Sequence, residues 1–326
     1  MTPKQFYDQL LEEIAVDDET MDDARTRRDR LADTAVATSG KHISNPKPVR
    51  VGAVAQGTQI DPLNDIDQVI ELPYLLPGWL ENPLGAMQQV RGWLDPVVPG
   101  MLTLTAHAIK VKFPDEDFTA DLVIGWKQQR GILIPHCPDD EPHCWIPTDP
   151  ETHKEQVLAR NRTFQPGRAI FSRQIRILKH LNREWEFRYE LERKPLSSFH
   201  VTALALTILT EKAGHDLWTP LFLERAADLV LRQLPDPAGV GADLEARDPS
   251  FASALLRDAA AKTRAALVAP EDQVEGKLRE VFGHPGRRRQ IVKPASVSVG
   301  PSGTLGVGAA TALRHTPPVR SHGGNA

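Results

Sequence analysis

Apolar side chains recur at helical spacing from the start of the chain. Phe6, Leu10, Leu11 and Ile14 fall on one face when 3.6 residues complete a turn. Thr2-Pro3 stands before them as a capping residue and a first-turn proline. A second helix is predicted from Asp18 to about Ala37, ending before Ser39-Gly40. The period then shortens. Residues 49–54 read as a strand and residues 65–72 as the next. Residues 82–94 return to a helical pattern, with prolines near both ends. His107, Ile109, Val111 and Phe113 alternate with Lys110 and Lys112, the mark of a half-buried strand. A turn, Pro114-Asp115-Glu116-Asp117, leads into a further strand at 118–126, and 131–135 reads as a short third one. The first half is therefore expected to be a mixed, largely antiparallel sheet with a few helices.

The second half is helical. Thr148-Asp149-Pro150-Glu151 is a helix start, and patterns follow at 150–163, 168–188, 197–212 and 217–233. Leu234-Pro235-Asp236-Pro237 breaks the series, and two more helices fit 249–268 and 271–282. From about residue 290 the chain is rich in Ser, Gly, Pro and Ala, which predicts a flexible tail. The expected plan is an α+β protein: a sheet-based lobe with N-terminal helices over 1–148, a helical lobe over 149–289, and a tail over 290–326. A cleft between the lobes is the default ligand site.

Composition narrows the class without changing this picture. With 326 residues, 40% hydrophobic and 25% charged, the chain has ordinary globular composition. A net charge of -4 argues against a general nucleic-acid binder, and no dedicated nucleic-acid module is evident. The charge is uneven. Asp17, Asp18, Glu19, Asp22 and Asp23 crowd the N-terminal region, whereas Arg160, Arg162, Arg168, Arg173, Arg176, Lys179 and Arg183 make 154–194 basic. A basic helical segment facing a carboxylate-bearing sheet suits a polyanion with bound cations; a solvated helix face explains the same charges. No apolar run is long enough to span a membrane, and the charged start has no signal-peptide core. The two cysteines, Cys137 and Cys144, cannot build a disulfide framework, so a reducing cytoplasm is expected.

The candidate chemistry lies in Gly52-Ala53-Val54-Ala55-Gln56-Gly57-Thr58 followed by Asp65-Ile66-Asp67. Alternate residues of a strand share a face, so Asp65 and Asp67 point together. Two adjacent carboxylates repel; beside a glycine turn whose amides can approach phosphates, they suit magnesium carrying a nucleoside triphosphate. Two-metal phosphoryl transfer needs a third carboxylate from a neighbouring strand. Asp121, set among apolar residues in Phe118-Thr119-Ala120-Asp121-Leu122-Val123, is the candidate. The competing reading is that Asp121 pairs with a lysine or arginine.

These segments resemble the bacterial CD-NTases, the cyclic GMP–AMP synthase-like nucleotidyltransferases of the polymerase-β superfamily. The resemblance runs through residues 51–60, Asn64-Asp65-Ile66-Asp67, 117–123 and 145–150. It continues through Arg176-Ile177-Leu178-Lys179, 196–201, Asp236-Pro237-Ala238-Gly239 and Val281-Phe282-Gly283. All are collinear and span roughly 1–285. The resemblance implies a polymerase-β-like lobe and an enzyme that joins nucleoside triphosphates, ATP among them, into a cyclic oligonucleotide messenger. Pyrophosphate leaves, and the setting is CBASS anti-phage signalling. Two Mg2+ (or Mn2+) ions would be held by Asp65, Asp67 and Asp121, the last helping to activate the attacking hydroxyl. Gly52, Ala53, Gly57, Thr58, Lys179 and Ser197 or Ser198 would contact the nucleotide phosphates. Arg176, one turn from Lys179, could share that face or form a surface ion pair. Regulatory partners, or conjugation through the C-terminal Gly323-Gly324-Asn325-Ala326, are also implied. One departure stands out: the family usually has Gly-Ser where this chain has Gly52-Ala53. Thr58 or backbone amides would have to replace that hydroxyl, whose loss costs about 0.5–1.5 kcal/mol.

Three further readings stay open. His136-Cys137 and His143-Cys144 could bind Zn2+ in one loop, although the spacing matches no common finger. Arg287-Arg288-Arg289 reads as a solvated basic end or a nucleic-acid contact. The same fold could instead transfer a nucleotide to RNA, a drug or a protein, or bind nucleotide without turnover, Ala53 being the one feature that favours the last.

Overall fold

The computed structural model describes residues 1–98, 100–114, 116–164 and 169–284. Arg168, Arg287-Arg288-Arg289, the expected tail and the terminal Gly323–Ala326 lie outside the described residues. Helix α1 (Pro3–Glu13) begins with a reciprocal capping box: the Gln5 N–H donates to Thr2 Oγ1 (3.3 Å) and the Thr2 N–H to Gln5 Oε1 (2.8 Å). Its apolar stripe meets the far end of the described chain. Phe6 and Tyr7 lie 6.0 and 5.6 Å from the Phe282 ring, and Arg279 holds Glu13 through two 2.6 Å bonds. Helix α1 thus sits in the helical core beside the last described helix, not against the sheet that follows it in sequence.

Helix α2 (Asp18–Ser39) is capped by Asp17, whose carboxylate accepts the Thr20 N–H at 2.8 Å. It buries Met21, Ala24, Leu31 and Ala35 against the sheet. The chain then makes β1 (Lys47–Arg50), a short helix α3 (Gly52–Gln56), β2 (Asp65–Leu72), α4 (Pro83–Leu94), β3 (Met101–Leu104), β4 (Ile109–Lys112), β5 (Thr119–Lys127), β6 (Ile132–His136) and β7 (Cys144–Thr148). The expected strand at 49–54 is shorter, because Gly52 turns the chain into α3. Strands β3 and β7 were not expected: each is short, and neither shows a clear period-2 pattern.

The sheet runs β1-β2-β5-β4-β3, and β6 joins β5 to β7. All pairs are antiparallel except β2–β5, which is parallel. Strand β5 shares one edge between two partners: Thr119–Leu122 pair with β4, and Trp126 and Lys127 with β6. The mixed α+β architecture read from the sequence is the one observed.

Six helices complete the described chain: α5 (Pro150–Phe164), α6 (Ile170–Arg188), α7 (Ser198–Ile208), α8 (His215–Leu229), α9 (Pro249–Leu267) and α10 (Glu271–Phe282). Phe171, Ile175, Leu178, Trp218 and Phe222 fill the core between them. Burial of side chains this size contributes about 1.5–3 kcal/mol each. Among the described residues, no helix is long and apolar enough to cross a membrane.

Candidate active site

The parallel register of β2 and β5 builds the acidic cluster. Asp67 stands directly across from Asp121, and Asp65 across from Thr119. Paired strands lie about 4.8 Å apart, so side chains of registered residues emerge side by side on one face. Ile66 and Ala120 point the other way into the sheet core, both almost wholly buried. A one-residue slip would exchange these faces and bury the acids, so the apolar core enforces the register.

Gly52 explains why Asp67 can sit where it does. Its φ of 72° is left-handed, and a Cβ built there would land on the Asp67 carboxylate. The next residue supplies a bond: the Ala53 N–H donates to Asp67. Alanine therefore contributes through its backbone, whatever its side chain lacks. Burial, then the charges of Asp65 and Asp121, push the Asp67 carboxyl up to about 7, against the pull of Lys179 and Ala53. Asp121 is also pushed up, chiefly by burial and opposed by Lys110.

Lys110, the β4 residue registered with Asp121, brings its Nζ to 3.5 Å from Asp121 Oδ1. The lysine pairing considered from sequence thus exists, through an ion pair at the limit of hydrogen bonding. That Oδ1 is buried and has no closer polar partner among the described residues. No three His, Cys, Asp or Glu side chains among the described residues form a ready metal cage. The donor chemistry of Asp65, Asp67 and Asp121 is nevertheless of the oxygen type that a divalent cation takes. The charges of Asp65 and Asp121 push the Asp67 carboxyl up, that of Asp65 pushes Asp121 up, all three are oxygen donors on one face, and one buried oxygen is under-satisfied.

Lys179, in the middle of α6, is buried and donates to Thr58 Oγ1 at 2.9 Å. Desolvation lowers its ammonium to about 8, offset partly by Asp67 and Asp65. Thr58, wholly buried, closes the α3 turn with its N–H on Ala53 O (2.9 Å). The turn is anchored from behind. Ser172 Oγ donates to Gln56 O at 2.8 Å, while Asn161 and Ser172 bond each other twice, at 2.6 and 3.0 Å. Gly57 ends α3 at φ 68°, with Ser172 beneath it. Ser172 and Asn161 carry no motif signal; only the packing of α5 and α6 against α3 reveals them.

A small cleft of about 80 Å³ opens over this arrangement, lined by Ala53, Thr58, Asp65, Lys179, Lys194 and Ser198 among others. Of the two expected serines, Ser198 faces the cleft, while Ser197 caps α7 by accepting the His200 N–H at 3.0 Å. Arg176 takes neither expected role: it is half-buried and donates to Leu11 O at 3.4 Å. Lys110 and Lys194 were missed as site residues, because a strand's polar face and a loop lysine look like solvated charge until register and packing place them.

The zinc expectation is corrected. Cys137 is buried in the sheet core and Cys144 is exposed, both as free thiols. His136 stacks on His107 at 4.9 Å and reaches Glu141 at 3.3 Å. The β6–β7 pairing aligns His136 with Cys144 and leaves Cys137 packed inward, so the four side chains do not converge as a metal-holding group among the described residues.

No family model and no curated protein matches this sequence. Solved structures do. CdnC of E. coli MS115-1 with ATP superposes with a TM-score of 0.70 at 17% identity, covering 86% of this chain and 98% of that one. The CD-NTase CdnG of Bradyrhizobium diazoefficiens with GTP gives 0.70 at 14% identity, covering 89% and 98%. The cyclic AMP-GMP synthase DncV of Vibrio cholerae, with the linear intermediate 5′ pppA(3′,5′)pG, gives 0.68 at 12% identity, covering 87% and 96%. The chain has the CD-NTase nucleotidyltransferase fold.

Proposed function

We propose that this chain, on the CD-NTase fold, is a nucleotidyltransferase. It joins nucleoside triphosphates, ATP among them, into a cyclic oligonucleotide messenger of anti-phage signalling in the cytoplasm. The carrying observation is the β2–β5 register, which sets Asp67 against Asp121 with Asp65 on the same face and Lys179 within electrostatic reach. Asp65, Asp67 and Asp121 would hold Mg2+ (or Mn2+), which when bound supplies charge neutralisation at the triphosphate and acidifies the acceptor hydroxyl.

The chain's own residues then do five things. Gly52 leaves room for the Asp67 carboxylate, and the Ala53 amide orients it. Lys179, held by Thr58, brings positive charge to the cleft, and the hydroxyl of Ser198, which lines it, would donate to a phosphate oxygen. Asp121 takes the proton of the attacking 2′ or 3′ hydroxyl. The new bond forms from that oxygen to the α-phosphorus as the bond to the bridging oxygen breaks, and pyrophosphate leaves. A second transfer between the joined nucleotides closes the ring.

CdnC of E. coli MS115-1, which shares the fold, has been solved in a complex with a HORMA protein, which supports a protein partner for this chain. Such a partner, or conjugation through the C-terminal residues, would control this chain. The deciding experiment incubates the protein with all four nucleoside triphosphates and magnesium or manganese. Phosphatase-resistant products are expected, and they disappear in the Asp65→Asn/Asp67→Asn double variant. Equal product from both proteins overturns the reading.

A further inference from the structure

Lys194 lies on the loop between α6 and α7 and lines the same cleft as Lys179, Arg183 and Asp65. It is half-buried, yet makes no hydrogen bond or ion pair among the described residues. Its electrostatic surroundings are mixed. Burial and Arg183 disfavour its charge, while Glu186 and Asp65 act weakly in the other direction. Its cationic neighbours are tied down: Lys179 donates to Thr58, and Arg183 to Asp61 O (2.9 Å) and Pro62 O (3.2 Å). A partly desolvated ammonium beside two other cations is costly unless an anion joins them. A polyphosphate carries enough charge to do so, and Lys suits it as a point-charge donor.

We propose that Lys194 is a third cation of the seat for the departing pyrophosphate, beside Lys179 and Arg183. The assignment rests on the nucleotidyl-transfer reading. When the hydroxyl oxygen bonds to the α-phosphorus, the electron pair of the broken bond goes to the bridging oxygen, and negative charge accumulates on the β- and γ-phosphates. Lys194 meets that charge with an ammonium that has no partner of its own among the described residues. Asp121 keeps the hydroxyl proton, so Lys194 transfers none and acts by charge alone.

Calorimetric titration tests this on the full chain with α,β-methylene ATP, which cannot release pyrophosphate, with AMP, and with inorganic tripolyphosphate. Lys194→Met is expected to weaken α,β-methylene ATP and tripolyphosphate about tenfold and to leave AMP unchanged. Lys194→Arg, which keeps the charge, is expected to stay within about threefold of the parent protein and guards against a folding defect. Unchanged α,β-methylene ATP binding in Lys194→Met overturns the proposal. So does an equal loss for AMP, or absence of binding by the parent protein. Pyrophosphate release is measured separately. Lys194-dependent polyphosphate binding without any release would sink the transfer reading and leave the cation seat standing.

Discussion

The acidic cluster on the sheet, with Asp67 and Asp121 half-buried and Asp65 exposed, and the polar cluster between α6 and α8 are built on opposite principles. Between α6 and α8 each of three polar side chains has a neutral hydrogen-bond partner, with Asp8, Arg173 and Asp216 acting on His215 only through their charges. His215 Nδ1 bonds Gln174 Oε1 at 2.8 Å, Gln174 Nε2 donates to Thr219 Oγ1 at 3.1 Å, and Thr219 Oγ1 donates to His215 O at 2.7 Å. Desolvation lowers the imidazole to about 4, so it stays neutral across the working range. On the sheet, three carboxylates share one face, and one buried oxygen has only a lysine at 3.5 Å. The first cluster is complete as folded; the second is left short of positive charge. A region that holds the fold satisfies its own polar groups, and the unmet need on the sheet is what the proposed metal and nucleotide would supply.

The sharpest way to break this comparison is to remove acids. Asp67→Asn or Asp121→Asn is expected to lower product formation about a thousandfold, read by product chromatography. Either change should leave the protein folded, because it relieves repulsion. A variant that unfolds instead would show that the carboxylates are structural. Next in size is Gly52→Ala. A methyl in the space of the Asp67 carboxylate, at positive φ, should destabilise by about 1–3 kcal/mol in denaturant titration. Activity should fall with it, as Asp67 is displaced.

The two clusters should also answer pH with opposite signs, measured by melting temperature in chelator. Asp67 ionises near 3.8 when unfolded and near 7 when folded. The folded state therefore holds the extra proton between those values, and this group's contribution to stability falls as pH rises through the window. His215 titrates near 6.5 unfolded and near 4 folded. Here the unfolded state holds the extra proton, so its contribution is complete above about 6.5 and is lost as pH drops towards 4. In the parent protein the two slopes oppose each other. Asp67→Asn should leave a curve that rises with pH from about 4 to 6.5, and His215→Gln one that falls over the same range, each differing from the parent by about 2–5 °C. Identical slopes in all three proteins would refute the contrast. The smallest effect expected is for Ser172→Ala, which frees Gln56 O and loosens the α3 turn from α6. A loss of about 1 kcal/mol in stability is expected, with a modest drop in nucleotide affinity by calorimetry.

The local grammar of the chain determined much. Period, caps and prolines located α1, α2, α4, β2, β4, β5 and the helices from α5 onward, because these elements follow from spacing alone. That Asp65 and Asp67 share a strand face, with Asp121 on a further strand, was legible as well, since acids flanked by apolar strand residues stand out against the pattern. What only the tertiary structure decided are relations between distant segments. Parallel pairing of β2 with β5 brings Asp67 to Asp121. The β4 register delivers Lys110, and the packing of α6 and its following loop presents Lys179 and Lys194 to the cleft. The same packing divides the serines, leaving Ser197 as a cap and Ser198 in the cleft, and keeps Cys137 and Cys144 from sharing an ion with their histidines. The physical reason is range. A side chain's periodicity records which face is buried, but a site is made by which buried faces meet, and that is settled by long-range packing no single segment encodes.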